Sequence, residues 1–410
     1  MNRQAATAAD SRALRSVAVQ FFANGMVYAT VIPRLPDIRE RVDISIGALG
    51  LVLTLGAVAS LIGSLLTGRV IARLGSRRVM IYGSISSIAF LPVIGFSTGP
   101  VLLVAALFGL LFFDVFIDVA MNVQGSALSA RRHTPVMNRL HGLWSLGSVT
   151  GGILTVLTLR ADVSTPVHLS VVAVLLIGAL AFVAPGLLHT DDDAHHDVAA
   201  TAPGGLPSRR RALSSASLLL AIGGATAMTI EITNGDWASF RLRDDLGASP
   251  GVAGLAFLAF TAGMTTGRLG GDWLQVRVGP TTLLRLSALI AGTGSILATS
   301  VGLIGVSILG FLIAGLGTSV LFPQLYDRAA RSPGPPGSGF AAMLIGQRGA
   351  ALLTPLVVGS LADTAALDVG QAMAIVTVPA AIVVFLTTLS AGPRARGRAQ
   401  NGTTTTSNRG

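Results

Sequence analysis

Three residues set four apart, Asp114, Asp118 and Asn122, are the first place in this sequence where chemistry is visible. They lie inside an apolar run, and on a helix their spacing stacks them within an arc of about 80°. Two carboxyls held that close repel, so one of them is suited to carrying a proton. The alternative is that both neutralise buried arginines and never titrate. Gln20, Asn24 and Tyr28 repeat the spacing nearer the N-terminus. Such a ladder offers donors and acceptors to a neutral polar ligand, or serves as glue between helices. Arg348, beside Gln347, stands well inside another apolar run, where it could anchor an anion or act as the counter-ion of Asp114 or Asp118. His141 titrates near neutral pH and could join the proton path or simply bond a backbone carbonyl. Glu231, Asn234, Asp236 and Trp237 mark the end of a further run; Asn234-Gly235 is expected to weaken the helix as a gate would, and Trp237 to bind ligand or anchor at an interface.

The elements that must hold these residues are membrane helices. Of the residues, 51% are apolar and 12% charged, about half the charged fraction a soluble domain uses. Apolar runs of ~20 residues recur, and breaks at charges, prolines and glycines separate twelve of them. The expected spans are 16–35, 46–66, 79–97, 101–124, 135–159 and 166–188, then 214–234, 250–270, 281–301, 303–326, 339–361 and 370–389. Gly302 is the faintest of the breaks. The fold class is therefore all-α integral membrane, with twelve transmembrane helices in two six-helix bundles. The expected organisation is an N-terminal segment 1–15, a first bundle 16–188, a linker 189–213, a second bundle 214–390 and a disordered tail 391–410. The linker carries Asp191-Asp192-Asp193 beside His195-His196, which reads as an acidic tether ahead of a metal site.

The net charge of +10 comes from arginine alone, without a lysine. The arginines fall almost wholly in the short gaps between runs, not on one soluble face with aromatics, which argues against a nucleic-acid partner. With both termini cytoplasmic, the inner segments hold most of them and the outer segments few, as the positive-inside rule requires. The expected location is the cell membrane, multi-pass, with both termini and the linker inside. Absence of cysteine excludes disulfides and thiolate metal sites, and no nucleotide loop or hydrolase triad is present. An enzyme is not expected, nor is a cofactor or metal beyond a coupling proton. The expected partners are a small-molecule substrate and the lipid bilayer, and the chain is expected to be monomeric.

Gly68-Arg69-Val70-Ile71-Ala72-Arg73-Leu74-Gly75 follows the second run, and Gly267-Arg268-Leu269-Gly270-Gly271-Asp272 with Arg277-Val278-Gly279 follows the eighth. This pair resembles the cytoplasmic loop signature of the major facilitator superfamily, whose transporters are built from repeated halves. The resemblance implies that Gly68, Arg69, Arg73, Gly267, Arg268, Asp272 and Arg277 belong to gating loops. Ala72 stands where the family usually has an acid, and Asp272 is expected to supply one in the second copy only. Asp118-Val119-Ala120-Met121-Asn122 is similar to an element of fucose-permease-like sugar symporters, and Leu140-His141-Gly142-Leu143-Trp144 to a related bacterial subgroup. These likenesses imply proton-coupled symport of a small polar solute such as a sugar or polyol. Asp118, Asp114 and His141 would serve coupling. Gln20, Asn24, Tyr28, Asn122, Trp144, Glu231, Trp237 and Arg348 would serve binding. Efflux of a drug or secondary metabolite is the alternative, against which Gly147-Ser148-Val149-Thr150-Gly151-Gly152 lacks the proline common in antiporters. A non-transporting sensor or scaffold would need a soluble domain that the sequence does not show.

Overall fold

The computed structural model describes residues 8–189, 214–332, 337–364 and 366–389. Twelve of its helices are long and apolar enough to cross a bilayer. In the first half they are α1 (Ala8–Val42), α2 (Ile46–Leu74), α3 (Ser76–Phe96), α4 (Pro100–Arg131), α5 (Met137–Arg160) and α6 (Thr165–Gly186). In the second half they are α7 (Ser215–Asp236), α8 (Pro250–Val278), α9 (Pro280–Ser300), α10 (Ile304–Ala330), α11 (Ser338–Ala362) and α12 (Val369–Leu389). Most of the linker, including the Asp and His cluster, lies outside the described residues, as do residues 1–7 and the tail from 390.

Local chemistry sets the boundaries. Ser45 caps α2 by accepting the Ala48 N–H at 3.2 Å, and Ser214 caps α7 by accepting that of Ser217 at 3.1 Å. Gly302 does separate two spans, since α9 stops at Ser300 and α10 starts at Ile304. Asn234-Gly235 does not break its helix. Asn234 donates its side-chain amide to Ile230 O at 2.9 Å and accepts from Ser295 Oγ at 3.2 Å, which ties α7 to α9. The irregularity comes later, in a π-turn over Arg241–Asp245. There the Asp245 carboxylate takes Arg241 Nη1 at 2.8 Å and the free N–H groups of Val369 and Gly370 that open α12. Two further irregularities carry no strong signal in the sequence. A 3₁₀ turn at Ile32–Arg34 bends α1 at Pro33, and α10 is interrupted between Thr318 and Leu321.

The two halves pack alike. In the first, α1 lies on α5, α4 on α2 and α3, and α3 on α6; in the second, α7 lies on α11, α10 on α8 and α9, and α9 on α12. Glycine permits this by letting backbones touch. A Cβ on Gly25 would strike Trp144 O and one on Gly147 would strike Phe22 O; in the second half Gly224 meets Met343 O and Gly346 meets Ala221 O in the same way. Gly63 against Phe112 O is likewise repeated by Gly267 against Leu316 O.

The equal lengths of α2 and α8, 29 residues each, and the matching glycines that end them correct the expected alignment of the two loop signatures. Carried down α2 and α8, the register sets Gly75 opposite Gly279, Ala72 opposite Val276, and Gly68 opposite Asp272. Asp272 is therefore not the counterpart of Ala72. Gly75 and Gly279 have φ 78°, ψ 152° and φ 80°, ψ 156°, a region open essentially to glycine alone. They turn the chain from α2 into α3 and from α8 into α9.

Two seams join the halves, α2 on α11 and α5 on α8. Both lie toward the end remote from the chain termini: Gly50 abuts Pro355 and Gly359, and Gly254 abuts Val156 and Pro33. Ion pairs brace that end, with Arg39 to Asp244 at 2.6 Å and Arg243 to Glu40 at 3.2 Å. Arg39 also lies over the Phe240 ring. Burial pushes the Asp244 carboxyl up from its usual range despite Arg39, whereas hydrogen bonding to Glu40 holds Arg243 up. Among the described residues, no hydrogen bond or ion pair crosses between halves nearer the terminus end than Arg348 to Ser64, at mid-depth.

Candidate functional site

Polar side chains collect along the inner faces of α1, α4, α5, α7, α8, α10 and α11, below the closed end. The uppermost link joins the halves: Tyr28 donates its hydroxyl to Asp236 Oδ1 at 2.5 Å. Beneath it, Trp144 Nε1 donates to Asn24 Oδ1 at 2.8 Å, and Asn24 Nδ2 donates to Asp114 Oδ1 at 2.7 Å. The indole thereby orients the amide, and the amide presents its donor to the carboxylate. One turn further along α4, Asp118 is exposed and accepts from Asn122 Nδ2, whose amide also reaches Asp118 O at 2.7 Å.

Opposite, Arg268 approaches Glu231 Oε1 at 3.9 Å, while Glu231 Oε2 is buried without a partner. Tyr326 is 39% exposed and lies within electrostatic reach of Asp118, Glu231 and Arg348. His141 is exposed, with its ring edge-on to Phe21 at 5.3 Å. Acids thus occur in both halves of one cleft, at graded depth, each with a different partner.

Several expectations change in this light. Gln20 leaves the ladder: it is buried and donates to Ser84 Oγ at 2.7 Å, joining α1 to α3. Trp237 is fully buried against Phe240 at 5.5 Å, so it neither reaches the cleft nor anchors at an interface. Arg348 is not the counter-ion of Asp114, because it donates to Ser64 Oγ at 2.8 Å while Asp114 is held by Asn24. Of the expected loop residues, Arg268 faces the cleft through Glu231, and Arg277 stacks on Trp273 at 3.9 Å. Arg69, Arg73 and Asp272 are exposed and form no ion pair among the described residues. Gly267 and Gly271 serve close packing of α8 on α10, against Ser319 and Val320.

Tyr326 is a cleft residue that the spacing argument missed; Asp236, named there only with the end of its run, is bonded by Tyr28, and the buried Ser64 by Arg348. Asp236 carried the one available signal, an acid at the end of an apolar run. Among the described residues no cluster of His, Cys, Asp and Glu fits a metal ion.

A sequence profile described as the Major Facilitator Superfamily matches residues 17–355. An uncharacterized transporter, y4wD, of Sinorhizobium fredii is 29% identical over 86% of this chain and 91% of its own length. An uncharacterized MFS-type transporter of Yersinia pestis is 27% identical over 86% of this chain and 90% of its own length. Membrane protein MosC of Rhizobium meliloti is 28% identical, covering 77% of this chain and 75% of itself. Among solved structures, a mutant of the nucleoside transporter NupG superposes with TM-score 0.74 at 12% identity, covering 92% of this chain and 98% of its own. A bacterial homolog of the human lysosomal transporter Spinster, inward-facing and unoccupied, gives 0.68 at 13% identity, covering 94% and 98%. At such identity the likeness is one of fold.

Proposed function

This chain belongs to the Major Facilitator Superfamily and is a multi-pass membrane transporter, not an enzyme; from that premise we propose that it couples entry of a small polar solute to entry of a proton. The supporting observation is the different fate of two acids on one helix face. Asp114 is fixed by the Trp144–Asn24 relay, whereas Asp118 opens on the cleft with no cation bonded to it among the described residues. A carboxyl free of a fixed counter-ion can exchange protons with the cleft, and one tied into a relay is better placed to shape a binding site. Asp118 is accordingly assigned the proton, and Asn24, Asp114 and Trp144 the polar part of the ligand.

The braced end faces outward and the termini face the cytoplasm in this reading. Support comes from the arginines, which crowd the terminus end and at the remote end are mostly tied to acids. The bacterial cell membrane is the location that follows. The test is transport in proteoliposomes. Asp118→Asn mimics the protonated acid and should abolish accumulation driven by a proton gradient while sparing counterflow exchange. Accumulation that survives in Asp118→Asn removes Asp118 from the mechanism.

A further inference from the structure

Arg348 faces the cleft with no acid bonded to it among the described residues, and we propose that it seats an anionic group on the transported solute; the proposal rests on the transport reading above. Elsewhere in the spans, Arg34 lies 3.5 Å from Asp37 and Arg268, in the same cleft, 3.9 Å from Glu231. Arg348 has, among the described residues, a single hydroxyl, Ser64 Oγ at 2.8 Å. A guanidinium carries five donors and stays charged in proteins, so it cannot shed its charge as an unpaired carboxyl can by taking a proton. A half-buried cation at mid-depth in a membrane protein is costly unless something answers it.

The fold does not require an arginine there. By the register that matches Gly147 with Gly346, Arg348 corresponds to Val149 in the first half, which packs the same way with an aliphatic side chain. Ser64 lies on α2 and Arg348 on α11, so the guanidinium sits where the two halves meet. A carboxylate fits its planar fork with two parallel hydrogen bonds. Tyr326 is within electrostatic reach of Arg348 and, separately, of Asp118.

The experiment measures thermal stabilisation of purified protein, without a membrane gradient, by matched triplets of two to eight carbons. Each triplet comprises a carboxylic acid, its alcohol and its amine, such as gluconate, sorbitol and glucamine. The expected result is that at least one acid stabilises the protein while its alcohol and amine do not. R348Q should weaken that acid by roughly tenfold or more, as expected for loss of a hydrogen-bonded charge, and R348K should restore part of it. The inference is overturned if no acid exceeds its alcohol and amine, or if R348Q binds the acid as tightly as R348K. An alcohol that binds wild type and R348Q equally would overturn the anionic class and leave proton-coupled uptake standing, since that reading is tested by gradient-driven accumulation.

Discussion

Removing both clamps at the remote end, by Arg39→Ala with Arg243→Ala, should let that end open more often. Both pairs join opposite halves, and their side chains are partly exposed, 18% and 21% for Arg39 and Asp244, 24% and 47% for Arg243 and Glu40. Such pairs are worth about 0.2–1 kcal/mol each, and the Arg39–Phe240 contact adds about 0.5–1 kcal/mol. The total is about 1–3 kcal/mol, which corresponds to roughly a five- to hundredfold rise in the open population. The sequence has no cysteine, so one introduced thiol reports cleanly. Val156 is buried where α5 meets Gly254 of α8, and Val156→Cys should react with a thiol reagent only when the seam parts. Its labelling rate should rise by that factor in the double variant, and high salt should reproduce part of the rise in the parent by screening. An unchanged rate with salt and with both arginines removed would show that apolar packing at the two seams, not charge, holds this end shut.

Four further outcomes follow. Asp244 in the closed end has its carboxyl raised by burial, so protonation favours closure: the Val156→Cys rate, taken relative to that of a free thiol at the same pH, should fall as pH drops toward the ordinary carboxylate range, and Asp244→Asn should flatten that relative dependence. Gly75→Ala and Gly279→Ala should each cost about 1–3 kcal/mol, read as a lower melting temperature in detergent, because alanine is strained at φ near 80° with extended ψ; an unchanged melting temperature refutes that account of the turns. Trp144→Phe keeps the ring but removes the donor to Asn24, and should weaken solute affinity by about 0.5–1.5 kcal/mol with little change in melting temperature. Single cysteines at Asp162 and His133, at opposite ends of α5, should be labelled and protected respectively by an impermeant reagent in intact cells; the reverse pattern inverts the topology.

The spans were legible because a bilayer demands ~20 apolar residues between polar breaks, so even Gly302 with its two neighbours marks two crossings. The site was legible only in part, and α1 shows why. Residues four apart on a helix drift by about 40° per step. Over Gln20, Asn24 and Tyr28 that drift is enough to turn Gln20 onto Ser84 while its two neighbours face the cleft. Partners on other helices leave no mark in one sequence, which is why Arg348 could be read as the counter-ion of Asp114 or Asp118 when its bonded partner is Ser64. The repeat register was misjudged for a related reason. Glycines recur every few residues at the end of α2 and of α8, and several alignments match until backbone contacts choose among them.

The seams also set a mechanical advantage. Gly50 and Gly254 stand in the second turn of α2 and α8, helices of 29 residues each. At 1.5 Å per residue, about 36 Å of rod extends from each glycine to its far end. Tilting such a rod by about 10° swings its tip by about 6 Å, the length of one helical turn. Subtle changes in shape at a seam are thus magnified into a displacement comparable with the width of a small solute. The loop ends need not be pushed apart by local charges to move that far; Arg69, Arg73 and Asp272 travel as passengers on the arms.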